Sequence, residues 1–144
     1  MNLSATREIA RPATEVFAFF SDASNNTLWQ KGQRSCVWTT PPPISVGSIY
    51  DQEARFLGRR VLTRFEVVEF DPGRVITIQS IQGSFPISVR RSVEPIGRDS
   101  CRVIADISGD PTGFFRLASK PLQRLAQRSV DADYDRLKQL LESD

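Results

Sequence analysis

The stretch at residues 3–20, LSATREIARPATEVFAFF, changes period in its middle. Leu3, Ala5, Arg7 and Ile9 alternate with Ser4, Thr6 and Glu8, the two-residue period of a strand. Pro12 then suits the first position of a helix, where its missing N–H costs nothing. Ala13, Val16, Phe17 and Phe20 fall on one helical face, which gives that helix a side to bury. A strand that runs straight into a short amphipathic helix needs a sheet beside the one and a core beneath the other.

Downstream, Ser21-Asp22-Ala23-Ser24-Asn25-Asn26 ends the helix, and a short second one carries Leu28 and Trp29. Residues 35–40 read as a strand that Pro41-Pro42-Pro43 stops, because prolines cannot donate to a ladder. Residues 47–56 and 59–70 read as two strands around Leu57-Gly58. Asp71-Pro72-Gly73-Arg74 is a turn, with Pro presetting φ and Gly tolerating the positive φ that comes next. Residues 74–80, 85–94 and 100–108 complete the strands, joined at Gln82-Gly83-Ser84 and by a turn over 95–99. Short links predict an antiparallel meander. Residues 110–143 are mostly helical, with Phe115, Ala118, Leu122, Leu125, Ala126, Leu137, Leu140 and Leu141 as the apolar stripe. Pro121 should kink or restart that helix.

In this order the chain resembles the helix-grip superfamily, also called START-like, Bet v 1-like or SRPBCC, and within it the polyketide cyclase/dehydrase-like group. The resemblance rests on Ile9-Ala10-Arg11-Pro12-Ala13-Thr14-Glu15-Val16-Phe17, on Ser21-Asp22 leading to Trp29, and on Val46-Gly47. It continues through Glu66-Val67-Val68-Glu69-Phe70-Asp71-Pro72, Val93-Glu94-Pro95 and residues 137–142. It implies one α+β domain over residues 1–144. A curved seven-stranded antiparallel sheet would carry two short helices after strand 1. A long C-terminal helix would pack over its concave face. It also implies a cavity for a lipid, polyketide, sterol or aromatic metabolite. It implies no single activity.

Composition narrows the chemistry. The chain has 144 residues, 40% of them hydrophobic, which suits one domain with a sizeable core. A net charge of +2 gives no case for nucleic acid. No apolar run is long enough for stable membrane insertion, and the N-terminus lacks the order of a secretory signal, so the expected setting is cytoplasmic. Cys36 and Cys101 are the only cysteines, with no metal spacing; they read as free thiols ahead of a single disulfide. The chain has no histidine, which removes the commonest general base and metal ligand. No cofactor and no metal is expected. Oligomeric state stays open, a homodimer included.

Parity selects the candidate site. On 59–70, Val61, Thr63, Phe65 and Val67 form the face expected to point inward. On 85–94 it is Phe85, Ile87, Val89, Arg91 and Val93. Trp29, Trp38 and Tyr50 are further wall candidates, and Leu122 and Leu125 would close the cavity from the helix. Arg91 puts one permanent charge on an apolar wall. It is an anchor for an anionic or carbonyl-bearing ligand, half of a structural pair with an acid such as Glu53 or Asp106, or turned outward by a local bulge. Arg116, Lys120, Arg124 and Arg128 form a row four residues apart, continued by Asp131 and Asp135. That row opposes the helix dipole. It reads as a solvated face with pairs such as Arg128–Asp131, or as a basic rim for anionic ligands or a lipid surface. Three functions fit: a carrier or sensor of a small apolar molecule, a cyclase or dehydrase acting on one, and an interaction protein with a filled core.

Overall fold

The computed structural model describes residues 2–56, 58–83, 86–109 and 120–143. Its elements run β1 (Asn2–Ile9), α1 (Ala13–Ser21), a 3-10 turn (Ala23–Asn25), α2 (Asn26–Trp29), β2 (Gln33–Trp38) and β3 (Ile49–Phe56). They continue with β4 (Arg59–Asp71), β5 (Val75–Gly83), β6 (Ile87–Gly97), β7 (Ser100–Gly109) and α3 (Lys120–Glu142). One antiparallel sheet of seven strands has the order β1-β7-β6-β5-β4-β3-β2. The helix-grip expectation is met: short helices follow β1, and the long helix lies across one face of the curled sheet.

Local chemistry explains the joints. Pro12 stands at the cap one residue before α1, and its carbonyl accepts from the N–H groups of Glu15 and Val16 at 3.1 Å. Asp22 ends α1 and caps the next turn, accepting from Ser24 N–H at 3.0 Å and Ser24 Oγ at 2.7 Å. Gly73 has φ of +81°, and Arg74 N–H returns to the Asp71 carbonyl at 2.9 Å, as a Pro-Gly turn requires. The sequence reading ends β6 at 94. The strand instead runs to Gly97, absorbing Pro95 at a register shift. Pro121 is helical in α3, and the residues before Lys120 where it would kink or restart the helix fall outside the described residues.

Parity on β4 holds. Thr63, Phe65 and Val67 are buried, while Leu62 and Val68 on the other face are 53% and 39% exposed. The outer face carries ion pairs, Arg64 with Asp51 at 2.7 Å and Arg60 with Glu53 at 2.8 Å. Glu53 is therefore no partner of Arg91. The inner face meets Val16, Phe17 and Phe20 of α1 and Leu137 of α3 in one core.

α3 also covers the free edge of β1. Gln127 brackets Ser4, its Oε1 accepting from Ser4 N–H at 3.3 Å and its Nε2 donating to Ser4 O at 2.7 Å. Arg7 reaches Asp135 at 2.6 Å and Asp131 at 3.5 Å. These bonds occupy strand-edge groups that would otherwise invite another chain. They also place Asp131 and Asp135 on Arg7, not on Arg128.

Candidate functional site

Between sheet and helix lies a cavity of about 250 Å³, partly open to solvent. Val61, Thr63 and Phe65 of β4 form one wall, with Ile87, Ile107 and Leu3 beyond them. α3 closes it with Ala126, Ser129, Val130 and Asp133. Gln30, Gln33 and Gln52 give one side a row of amides. Larger depressions of about 600 Å³ beside the start of α1 and about 540 Å³ over β2 to β5 are surface clefts rich in charged residues. The first touches buried apolar side chains only at Val75 and Val93, and the apolar residues of the second, Val37 and Leu62, are exposed.

Two polar details mark the cavity. Gln33 Nε2 donates to Gln30 Oε1 at 3.2 Å, while Gln30 Nε2 is buried with no partner among the described residues. Asp133 accepts from Lys31 N–H and Arg136 Nη1, both at 3.1 Å. Burial raises its pKa, and those two donors only partly reverse the shift.

A second, buried polar cluster lies beneath Trp29. Arg91 is 7% exposed, and its Nε donates to the Tyr134 hydroxyl at 2.7 Å. Its guanidinium sits 5.1 Å from the Trp29 ring centroid, and Trp29 meets Tyr134 edge-on at 5.0 Å. No carboxylate among the described residues pairs with it, so neither Glu53 nor Asp106 is its counterion. Arg91, Tyr50, Asn26 and Trp38 border a void of only about 10 Å³, close to the space of one water. Asn26 Oδ1 is buried at this void without a partner among the described residues, and Trp29 Nε1 is likewise buried and unpartnered in the core. Tyr50 stacks on Phe65 at 5.3 Å, which links cluster and cavity wall. Burial raises the Tyr50 pKa, against the opposing charge of Arg91.

Burial likewise pushes the Cys36 thiol up to about 11, despite the Asn26 amide and the Arg91 charge. At pH 8 only about one molecule in a thousand would then carry the reactive thiolate. An aromatic disulfide reagent should label the folded protein on the order of a hundredfold more slowly than the protein in urea. Equal rates would refute this environment for Cys36. Cys36 and Cys101 are both free and buried.

Of the residues chosen from sequence, Thr63, Phe65 and Ile87 line the cavity. Tyr50, Trp38 and Arg91 border the smaller void, while Trp29 and Val67 are fully buried in the core. Leu122 is half-buried and Leu125 is 45% exposed, and neither lies on the cavity wall. Phe85, Phe115, Arg116 and Ala118 fall outside the described residues. The sequence reading missed Val130 and Tyr134, although Ala126, Val130, Tyr134, Leu137 and Leu141 recur at helical spacing. The amide row has no such signal, because no periodicity brings Gln30, Gln33 and Gln52 together.

Among the described residues there is no group of three metal-ligating side chains, and no helix is long and apolar enough to cross a membrane. Several solved structures share this fold. A START superfamily protein from Mycobacterium smegmatis superposes with TM-score 0.84 at 19% identity, covering 98% of this chain and 97% of that one. The Zhui aromatase/cyclase of a Streptomyces species gives 0.77 at 14% identity, with 99% and 93% covered. A major latex-like protein from Panax ginseng gives 0.74 at 13%, with 99% and 98% covered. No curated protein matches the sequence. The family described as polyketide cyclase / dehydrase and lipid transport matches residues 1–142, and the protein belongs to it.

Proposed function

We propose that the protein carries or senses a small, largely apolar molecule held between the sheet and α3. The observation behind this is the cavity of about 250 Å³, walled by Leu3, Val61, Phe65, Ile87, Ile107 and Val130 with one polar side of amides. Apolar walls with a few placed polar groups are how such sites hold ligands. The size suits a ligand smaller than a typical drug. A cytoplasmic carrier of a lipid fragment, polyketide or aromatic metabolite fits this reading.

The rival is a cyclase or dehydrase, in keeping with the family. Its best support is Asp133, an acid on the cavity wall whose pKa burial raises. Its carboxylate is, however, engaged with Arg136 on its own helix and with Lys31 N–H in the loop after α2. No second acid among the described residues lines the cavity to work with it. Arg91 is one layer away, behind Trp29 and committed to Tyr134. Anchoring a ligand there would require that layer to open.

An environment-sensitive apolar dye should bind the folded protein and be displaced by a medium-chain fatty alcohol. Phe65→Ala should change dye affinity by about threefold or more while circular dichroism stays unchanged. If wild type and variant both ignore the dye and a panel of small lipids, the carrier reading fails.

A further inference from the structure

The cavity and a set of unpaired cations share one end of the fold. The register brings together there the β3–β4 hairpin tip, with Phe56 opposite Arg59, the start of β6 opposite Gly109, and the first residues of β1. Gln127 on Ser4 brings the first half of α3 to the same end. Arg34, Arg55, Arg59, Lys120, Arg124 and Arg128 are all exposed at this pole. None has an acidic partner within 4 Å among the described residues, whereas elsewhere Arg90 is bound to Glu69 and Arg102 to Glu8.

α3 sharpens the asymmetry. Its acids are occupied: Asp131 and Asp135 by Arg7, Asp133 by Arg136, Glu142 by Lys138. Its first eleven residues, KPLQRLAQRSV, hold three cations and no acid. No acid among the described residues offsets that arrangement. By helical geometry Leu125 lies between the cation row and the turn carrying Ser129, which lines the cavity. Leu125 is 45% exposed. A cationic collar with an apolar side chain beside the opening of an apolar cavity is complementary to one kind of partner. It matches a bilayer surface whose headgroups are anionic and whose interior would hold the cargo.

We propose that this end of the protein docks on anionic membrane surfaces, with Arg59, Lys120, Arg124 and Arg128 against the headgroups and Leu125 in the interface. The docking is peripheral, since no described helix is long and apolar enough to span. It turns the cavity mouth toward the lipid, so cargo exchanges without crossing bulk water.

The test is co-flotation of the full chain with vesicles of phosphatidylcholine alone and with vesicles containing roughly one-third phosphatidylserine. Only the anionic vesicles should retain the protein, and added salt should release it. Each cation is expected to contribute about fivefold, so Arg59→Gln/Lys120→Gln/Arg124→Gln/Arg128→Gln should weaken retention at least about a hundredfold. Arg59→Lys/Arg124→Lys/Arg128→Lys should keep it, because a headgroup layer reads charge. Leu125→Ser should weaken it separately. Dye binding in solution should be the same in all variants, so loss of docking and loss of the cavity are read independently. Equal retention on neutral vesicles would overturn the proposal. So would retention of the quadruple Gln variant, or absence of vesicle binding alongside binding to a duplex DNA.

Discussion

Tyr134→Phe is expected to lower stability by about 2–3 kcal/mol, a drop of roughly 5–10 °C in midpoint for a chain of this size. The substitution removes one oxygen and keeps the ring against Trp29, whose centroid is 5.0 Å away. That oxygen is the acceptor for Arg91 Nε at 2.7 Å, in a site where no carboxylate among the described residues pairs with the guanidinium. A charge that cannot leave its proton behind must then be held by the Trp29 face and by the more distant carboxylate of Asp133. Arg91→Met should behave differently. It loses the same bond but also removes the buried charge, so its stability should stay near wild type. In the Tyr134→Phe background, Arg91→Met should recover most of the loss, with a coupling energy on the order of 2 kcal/mol. Urea denaturation of the four proteins measures it. Additive single losses would mean that the bond does not hold the guanidinium in place.

The same residues show what the sequence could and could not disclose. Arg91 was legible as inward-facing because Val89 and Val93 share its parity and a strand has no third side. Its partner was not legible. Tyr134 is 43 residues away, and only the docking of α3 on the sheet joins them. On α3 the error was one of phase. Choosing leucines put Leu125 on the cavity wall, but the inward row runs Ala126, Val130, Tyr134, Leu137, the last two buried, and Leu125 turns outward. Phase on a helix is set by the whole row and not by its most hydrophobic members. The order of strands, the Pro-Gly turn and the helix after β1 were legible because each rests on local backbone chemistry. The amide row on the cavity was hidden because it depends on the loop before β2 folding back on β3. There Gly32 O accepts from Arg55 N–H at 2.8 Å.

Ala126→Trp is expected to abolish small-molecule binding without harming the fold. Ala126 stands on the α3 wall of the cavity and presents little more than a methyl group to it. An indole there would cover roughly 150 Å² of apolar wall, worth about 4 kcal/mol to any ligand that used it. Dye affinity should therefore fall by several hundredfold. The midpoint of thermal unfolding should hold or rise, because the ring enters space that no described side chain fills and buries its own surface. Leu140→Trp, on an exposed position of the same helix, is the control and should leave dye binding unchanged. The two readings of the core diverge at this position. If the space between sheet and helix were closed in solution, as an interaction protein with a filled core requires, the indole would overpack it. That would cost about 1–3 kcal/mol, with no ligand affinity to lose. Lost affinity at kept stability supports a container. Lost stability with no binding in the parent protein removes the carrier reading and leaves the surface as the functional part of the molecule.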